Sequence, residues 1–164
     1  MRVYLLRHAI AAERGSAAYV DDDRPLTEEG KDKMSKAAKG LASLVDNIDV
    51  ILSSPLIRAH DTARIAARAL RAENKVQICK ELAAGGSLKN LMTYLSKFRS
   101  LNSIMLVGHQ PDLGFIASLL LGSETSIIEF KKGSLCCIEV STLPPRSKGT
   151  LIWHLQPKHL RALA

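Results

Sequence analysis

The chain has 164 residues, 46% hydrophobic, 24% charged and only 4% aromatic, a size and balance that suit one substantial core and exclude intrinsic disorder. Twenty-three Lys and Arg against sixteen Asp and Glu leave a net charge of +7, which favours acidic partners in general: phosphate esters, phosphoproteins, anionic lipid or nucleic acid. Three Phe, three Tyr and one Trp are too few and too scattered to build a stacking platform for single-stranded nucleic acid.

Val3 to Leu6 is an apolar run bounded by charge, the pattern of a short buried strand, and it ends abruptly in Arg7-His8. Glu13 to Asp23 is small and polar, a loop able to reach back over that strand end. Arg24-Pro25-Leu26-Thr27-Glu28-Glu29-Gly30 then opens a helix to about Leu44: Thr27 is a good N-cap, and Glu28 and Glu29 suit the positive end of the helix dipole. Met34, Ala37, Ala38, Leu41 and Leu44 repeat at helical spacing, with Lys31, Lys33, Lys36 and Lys39 as a solvated face.

Val50-Ile51-Leu52 reads as a second buried strand, followed after Ser53-Ser54-Pro55 by an Ala-rich helix from Arg58 to Leu70. Val76 to Cys79 is a third strand and Glu81 to Gly86 a loop. Ser87 caps an amphipathic helix marked by Leu88, Leu91, Met92, Leu95 and Phe98. Ser103 to Val107 is the fourth strand. It breaks at Gly108-His109-Gln110-Pro111, where Pro111 suits the first turn of a helix running to Gly122. Strands near Ser134 to Val140 and Thr150 to Leu155 flank Pro144-Pro145-Arg146-Ser147-Lys148-Gly149 and form a hairpin. No repeat or linker interrupts the chain, so residues 1–164 read as one domain. The alternation predicts a three-layer α/β/α fold with a mostly parallel sheet and an antiparallel C-terminal strand.

No apolar run reaches membrane-spanning length, and Met1-Arg2 lead straight into a strand pattern, so a soluble cytoplasmic protein is expected. Cys79, Cys136 and Cys137 are odd in number, lie in apolar runs and lack metal-ligand spacing; they read as reduced core residues. His60, His154 and His159 sit in an ordinary helix, an ordinary strand and a polar tail. No cluster has metal-ligand spacing, so neither a metal nor another cofactor is expected.

Three strand ends carry the chemistry. The first delivers Arg7 and His8, the second Arg58, and the fourth Gly108 and His109, all at the sheet edge where α/β folds bind ligands. An isolated Arg-His pair would be no more than a solvated strand end. Three loops offering cations and imidazoles together suit a transferring phosphoryl group, whose charge sits on three equatorial oxygens and is stabilised by fixed donors. A neutral histidine can attack phosphorus and form a phosphohistidine that water hydrolyses.

Over nearly its whole length the chain resembles the histidine phosphatase superfamily, whose fold is phosphoglycerate mutase-like, and most closely its short phosphohistidine phosphatases of the SixA type. The resemblance rests on Leu6-Arg7-His8-Ala9, Arg24-Pro25-Leu26-Thr27-x-x-Gly30, Ser54-Pro55-x-x-Arg58-Ala59-x-x-Thr62-Ala63 and Val107-Gly108-His109-x-Pro111, in that order. It implies that His8 is the phosphorylated nucleophile and that Arg7, Arg58 and His109 complete a phosphate pocket, with Arg24 either an outer substrate contact or a loop salt bridge. Ala9 replaces a frequent Gly, and Asp61 a usual Gln. The proton donor of the mutase and phosphomonoesterase branches falls here in Leu82-Ala83-Ala84, with no carboxylate; Glu81 is the nearby candidate acid. Gln110 stands where the acid-phosphatase branch carries Asp.

The expected function is a metal-independent phosphatase that acts on phosphohistidine in a protein, its partner being a histidine-phosphorylated phosphotransfer or carrier domain. A monomer is favoured. Competing readings are a phosphomonoesterase or mutase acting on small metabolites and a non-catalytic phosphate-binding module, which would not need both His8 and His109. A nucleic-acid-binding domain is disfavoured.

Overall fold

The computed structural model describes residues 1–15 and 17–164; Ser16, within the loop expected over Glu13 to Asp23, lies outside the described residues. Six strands, β1 (Arg2–Arg7), β2 (Val50–Ser53), β3 (Val76–Ile78), β4 (Ser103–Gly108), β5 (Leu135–Glu139) and β6 (Thr150–Leu155), form one sheet in the order β3-β2-β4-β1-β5-β6. The first four are mutually parallel, and β5 pairs antiparallel with both β1 and β6. The antiparallel strand is therefore β5. The C-terminal strand β6, antiparallel to its neighbour β5, lies at the edge in the same direction as β1, because β5 runs against β1 and the hairpin turn reverses the chain once more.

Side chains alternate across the sheet with the period of two that extended backbone imposes. Tyr4, Leu6, Ile51, Met105, Val107, Leu135 and Cys137 join one buried cluster, covered by α1 (Glu28–Ala42), α2 (Ile57–Ala69) and α5 (Pro157–Ala162). Val3, Leu5, Val50, Leu52, Ile104, Leu106, Cys136 and Ile138 join the other, covered by α3 (Leu88–Leu95) and α4 (Asp112–Leu120). Burial on both faces explains why β1, β2 and β4 read as continuous apolar runs.

The caps work as their residue types suggest. Thr27 accepts a hydrogen bond from the Gly30 N–H at 2.9 Å, and Ser87 from Asn90 at 3.3 Å. Helix α3 is shorter than its apolar pattern, since its last turn tightens to a 3₁₀ turn over Ser96–Phe98. Helix α5 occupies what reads as a polar tail. Pro157 starts it, Leu160 anchors it, and Gly40 of α1 admits the Leu160 carbonyl so closely that a Cβ there would lie 1.8 Å from its oxygen. All three cysteines are free and buried, with burial pushing the thiols of Cys79 and Cys136 up to about 12. His154 packs against Phe130, ring centroids 4.9 Å apart.

Candidate active site

Register brings the strand ends together. In the parallel pair β1–β4, Arg7 lies opposite Gly108, so the residues that follow, His8 and His109, are neighbours with ring centroids 5.2 Å apart. On the other side of β4, Ser53 lies opposite Val107, and the chain passes through Ser54 into the first turn of α2, where Arg58 is 2% exposed. The four residues expected from the motifs thus meet at one sheet edge.

His8 is buried, and its Nδ1 lies 2.8 Å from the carbonyl oxygen of Ala9, to which it donates when protonated there. That bond leaves Nε2 with a free lone pair. Burial, with smaller contributions from His109, Arg58 and Arg7, pushes the His8 pKa down to about 3, although the bond to Ala9 opposes this. Burial and the nearby Arg58, Arg7, Arg24 and Arg14 lower His109 to about 4. Both rings are therefore neutral at pH 7, the form a histidine nucleophile requires.

His109 is oriented by Ser54, whose Oγ lies 2.8 Å from Nε2 and accepts the N–H of Leu56 at 3.3 Å. A hydroxyl has one donor and two acceptor sites, so Ser54 serves either tautomer of His109 while it takes the Leu56 amide, and the contact fixes the orientation of the ring. In the sequence Ser54 stands only as part of a motif, and its contact with His109 spans 55 residues.

The backbone around His8 is tied from several directions. Its N–H donates to the Gly108 carbonyl at 3.1 Å, and the Gly133 N–H reaches the carbonyls of Arg7 and His8. The Ala9 N–H donates to Thr62 Oγ1, which in turn donates to the Arg58 carbonyl. Ile10 accepts from the Thr27 N–H, and a Cβ at position 30 would lie 2.0 Å from the Ile10 oxygen. The glycine closing the Arg24–Gly30 motif is thus required by the chain leaving His8.

Arg7, His8, Arg24, Arg58 and His109 line a cavity of about 380 Å³. Arg7 donates to the Phe130 carbonyl, and Arg58 to that of Asp21 at 3.0 Å. Arg24 is 7% exposed, donates to the Ala12 carbonyl at 2.6 Å and pairs with Asp21 at 2.9 Å, so it both lines the cavity and makes a loop salt bridge. Arg7 Nε, Arg58 Nε and His109 Nδ1 are buried without a hydrogen-bond partner among the described residues. Burial lowers the pKa of both guanidiniums, so their charge is held at a cost that a bound anion would offset. Two unpaired guanidinium donors and an unpaired His109 nitrogen around a neutral imidazole suit a tetrahedral oxyanion.

Glu81 does not join this cavity. Its carboxylate accepts the Cys79 thiol at 3.4 Å and faces a separate, largely apolar cavity, while Ala84 lines the cavity of His8 and Arg58. The cavity instead gains Gln110, noted in the sequence as standing in place of an Asp, and Glu13, Arg14 and Lys132, which sequence reasoning did not single out. Glu13 and Arg14 carry no signal beyond a polar loop, and Lys132 is placed by the bonds of its neighbour Gly133. Among the described residues no group of three or more His, Cys, Asp or Glu is arranged to hold a metal ion. No described helix is long and apolar enough to cross a membrane.

Similarity to known proteins agrees with this geometry. The chain is 39% identical over 127 residues to an uncharacterised protein of Picosynechococcus sp. strain PCC 7002, covering 76% of each chain. It is 26% identical to the phosphohistidine phosphatase SixA of Escherichia coli K12, covering 98% of this chain and 97% of that protein. A solved structure of the protein histidine phosphatase SixA complexed with tungstate superposes with a TM-score of 0.84 at 26% identity, over 98% of this chain and 99% of that one. Residues 3–84, which contain His8, Arg24 and Arg58, match the model of the histidine phosphatase superfamily (branch 1), the family to which this chain belongs.

Proposed function

We propose that this phosphatase removes the phosphoryl group from phosphohistidine in a protein, without a metal, through a covalent phosphohistidine on His8. The observation that carries the reading is the neutral His8 ring, its Nδ1 tied to Ala9, in a cavity with the unpaired guanidinium donors of Arg7 and Arg58 and the unpaired Nδ1 of His109. The resemblance to a protein histidine phosphatase holding tungstate, a phosphate-like oxyanion, supports it. In the first step His8 Nε2 attacks phosphorus in line. The bond from phosphorus to the substrate imidazole breaks, and that ring leaves neutral, having taken a proton from solvent. Arg7, Arg58, His109 and Arg24 hold the equatorial oxygens. Water then attacks phosphorus, the bond to Nε2 breaks, and inorganic phosphate departs.

An imidazole with an ordinary pKa of about 6.5 leaves without an enzymic acid, which suits Ala84 in the cavity wall near the place where the mutase branch carries its carboxylate. The partner in this reading is a phosphotransfer or carrier domain in the cytoplasm, met by a single-domain monomer. A second reading, hydrolysis of phosphomonoesters, is favoured by one observation: Glu13 lines the cavity and can protonate an alkoxide. Turnover of a histidine-phosphorylated phosphotransfer domain compared with a phosphoserine peptide separates the two, with His8→Ala as the inactive control. Rapid quenching should trap acid-labile, base-stable phosphate on His8; label on His109 or Ser54 overturns the assignment.

A further inference from the structure

A second cavity, of about 110 Å³, opens beside the phosphate site between the turn after β3 and the start of α4. Leu82, Leu88, Leu91, Leu113 and Ile116 give it apolar walls. His109 lines both this cavity and the phosphate cavity, so an occupant sits one imidazole ring away from the phosphoryl group.

Two carboxylates, Glu81 and Asp112, also line it. Glu81 accepts the Cys79 thiol, and Asp112 accepts the Gly85 N–H at 2.8 Å. Among the described residues neither is paired with a Lys, Arg or His, in a chain whose net charge is +7. The phosphate cavity next to it is lined by Arg7, Arg14, Arg24, Arg58 and Lys132. One face of the molecule is therefore divided by His109 into a cationic half that takes an anion and an apolar half edged with negative charge.

We propose that the second cavity is a subsite for a lysine or arginine of the substrate protein that neighbours its phosphohistidine. The methylene stem lies on the leucine and isoleucine walls while the cationic head meets Glu81 and Asp112, the division of labour that long basic side chains make at apolar surfaces. The cationic half repels such a side chain, so the phosphoryl group and the neighbouring cation fix the substrate's orientation together. The inference rests on the phosphohistidine reading and adds to it the sequence context the enzyme selects.

The test uses phosphohistidine peptides in an alanine background, with one lysine moved through the four positions on either side of the phosphohistidine. At one position lysine should raise kcat/KM at least about tenfold over the all-alanine peptide, through a lower KM, and more than leucine there. Leu88→Trp, which fills the cavity, should remove that gain. Glu81→Lys should reverse it, so that glutamate at the same position becomes preferred over lysine. Equal rates on all peptides would overturn the subsite while leaving phosphohistidine hydrolysis standing, as would a lysine gain that survives both variants or a leucine gain exceeding that of lysine. Turnover of phosphomonoesters with none of any peptide would remove the phosphohistidine reading, and the subsite with it.

Discussion

The backbone N–H of Ala9 donates a hydrogen bond to the side-chain hydroxyl of Thr62 at 3.0 Å, joining the residue after His8 to a helix 53 residues away. The same hydroxyl donates to the Arg58 carbonyl at 2.7 Å, one helical turn back. Thr62 therefore sets the distance between His8 and Arg58, and the four-residue spacing of Arg58 and Thr62 follows from the helix. Asp61 lies outside this connection, so its departure from the usual Gln leaves the site intact.

Thr62→Val keeps the volume and removes the bond. It leaves the buried Ala9 N–H unpaired, at a cost of about 1–3 kcal/mol in stability. We expect kcat to fall at least about tenfold, since small displacements of reacting groups are expensive, while Thr62→Ser retains most activity. Thermal melts and steady-state kinetics on both variants check this; equal activity in the two would show that the hydroxyl does not position the site.

Arg58 is held by one arm, Nη1 on the Asp21 carbonyl, while its buried Nε is unpaired and the side chain lines the phosphate cavity. An ammonium on a flexible stem cannot occupy the carbonyl and also present a planar pair of donors to two phosphoryl oxygens. Arg58→Lys should lower kcat/KM at least about a hundredfold despite the retained charge. Near-normal kinetics with an unchanged circular-dichroism spectrum would reduce Arg58 to general attraction.

The lowered pKa values of His8, about 3, and His109, about 4, against 6.5 for a free histidine make stability pH-dependent. Between those values and 6.5 the unfolded chain binds protons that the native state does not, so stability rises with pH across this window and is lost as pH falls through it. His8→Asn removes one of the two groups. The loss of unfolding free energy between about pH 7 and pH 4.5 should be smaller in the variant by on the order of 2–3 kcal/mol. Parallel acid sensitivity in the two proteins would show that His8 titrates normally.

Leaving groups should rank by their need for a proton. Expelling an alkoxide calls for general-acid help worth about 10²–10⁴ in rate. kcat/KM for protein phosphohistidine should therefore exceed that for phosphoserine or sugar phosphates at least about a hundredfold, with aryl phosphates between. Efficient alkyl phosphate hydrolysis that vanishes in Glu13→Gln would make Glu13 the acid and favour the phosphomonoesterase reading.

By itself the sequence determined which residues could meet. The apolar runs of β1, β2 and β4 and the spacing in α1 were readable because burial on both faces of a sheet, or on one face of a helix, leaves a local pattern. Arg7, His8, Arg58 and His109 were readable because each follows such a run at an element boundary. Tertiary structure decided the rest. Helix α5 depends on Leu160 finding its place beside Gly40 of α1, a contact no local pattern announces. Whether a carboxylate serves the phosphate was likewise not local: Glu81, near the expected place in sequence, faces the neighbouring cavity, while Glu13, from an unpatterned loop, lines the phosphate cavity. Position along a strand follows from period and register, but where a loop side chain comes to rest is set by the packing of elements far away in sequence.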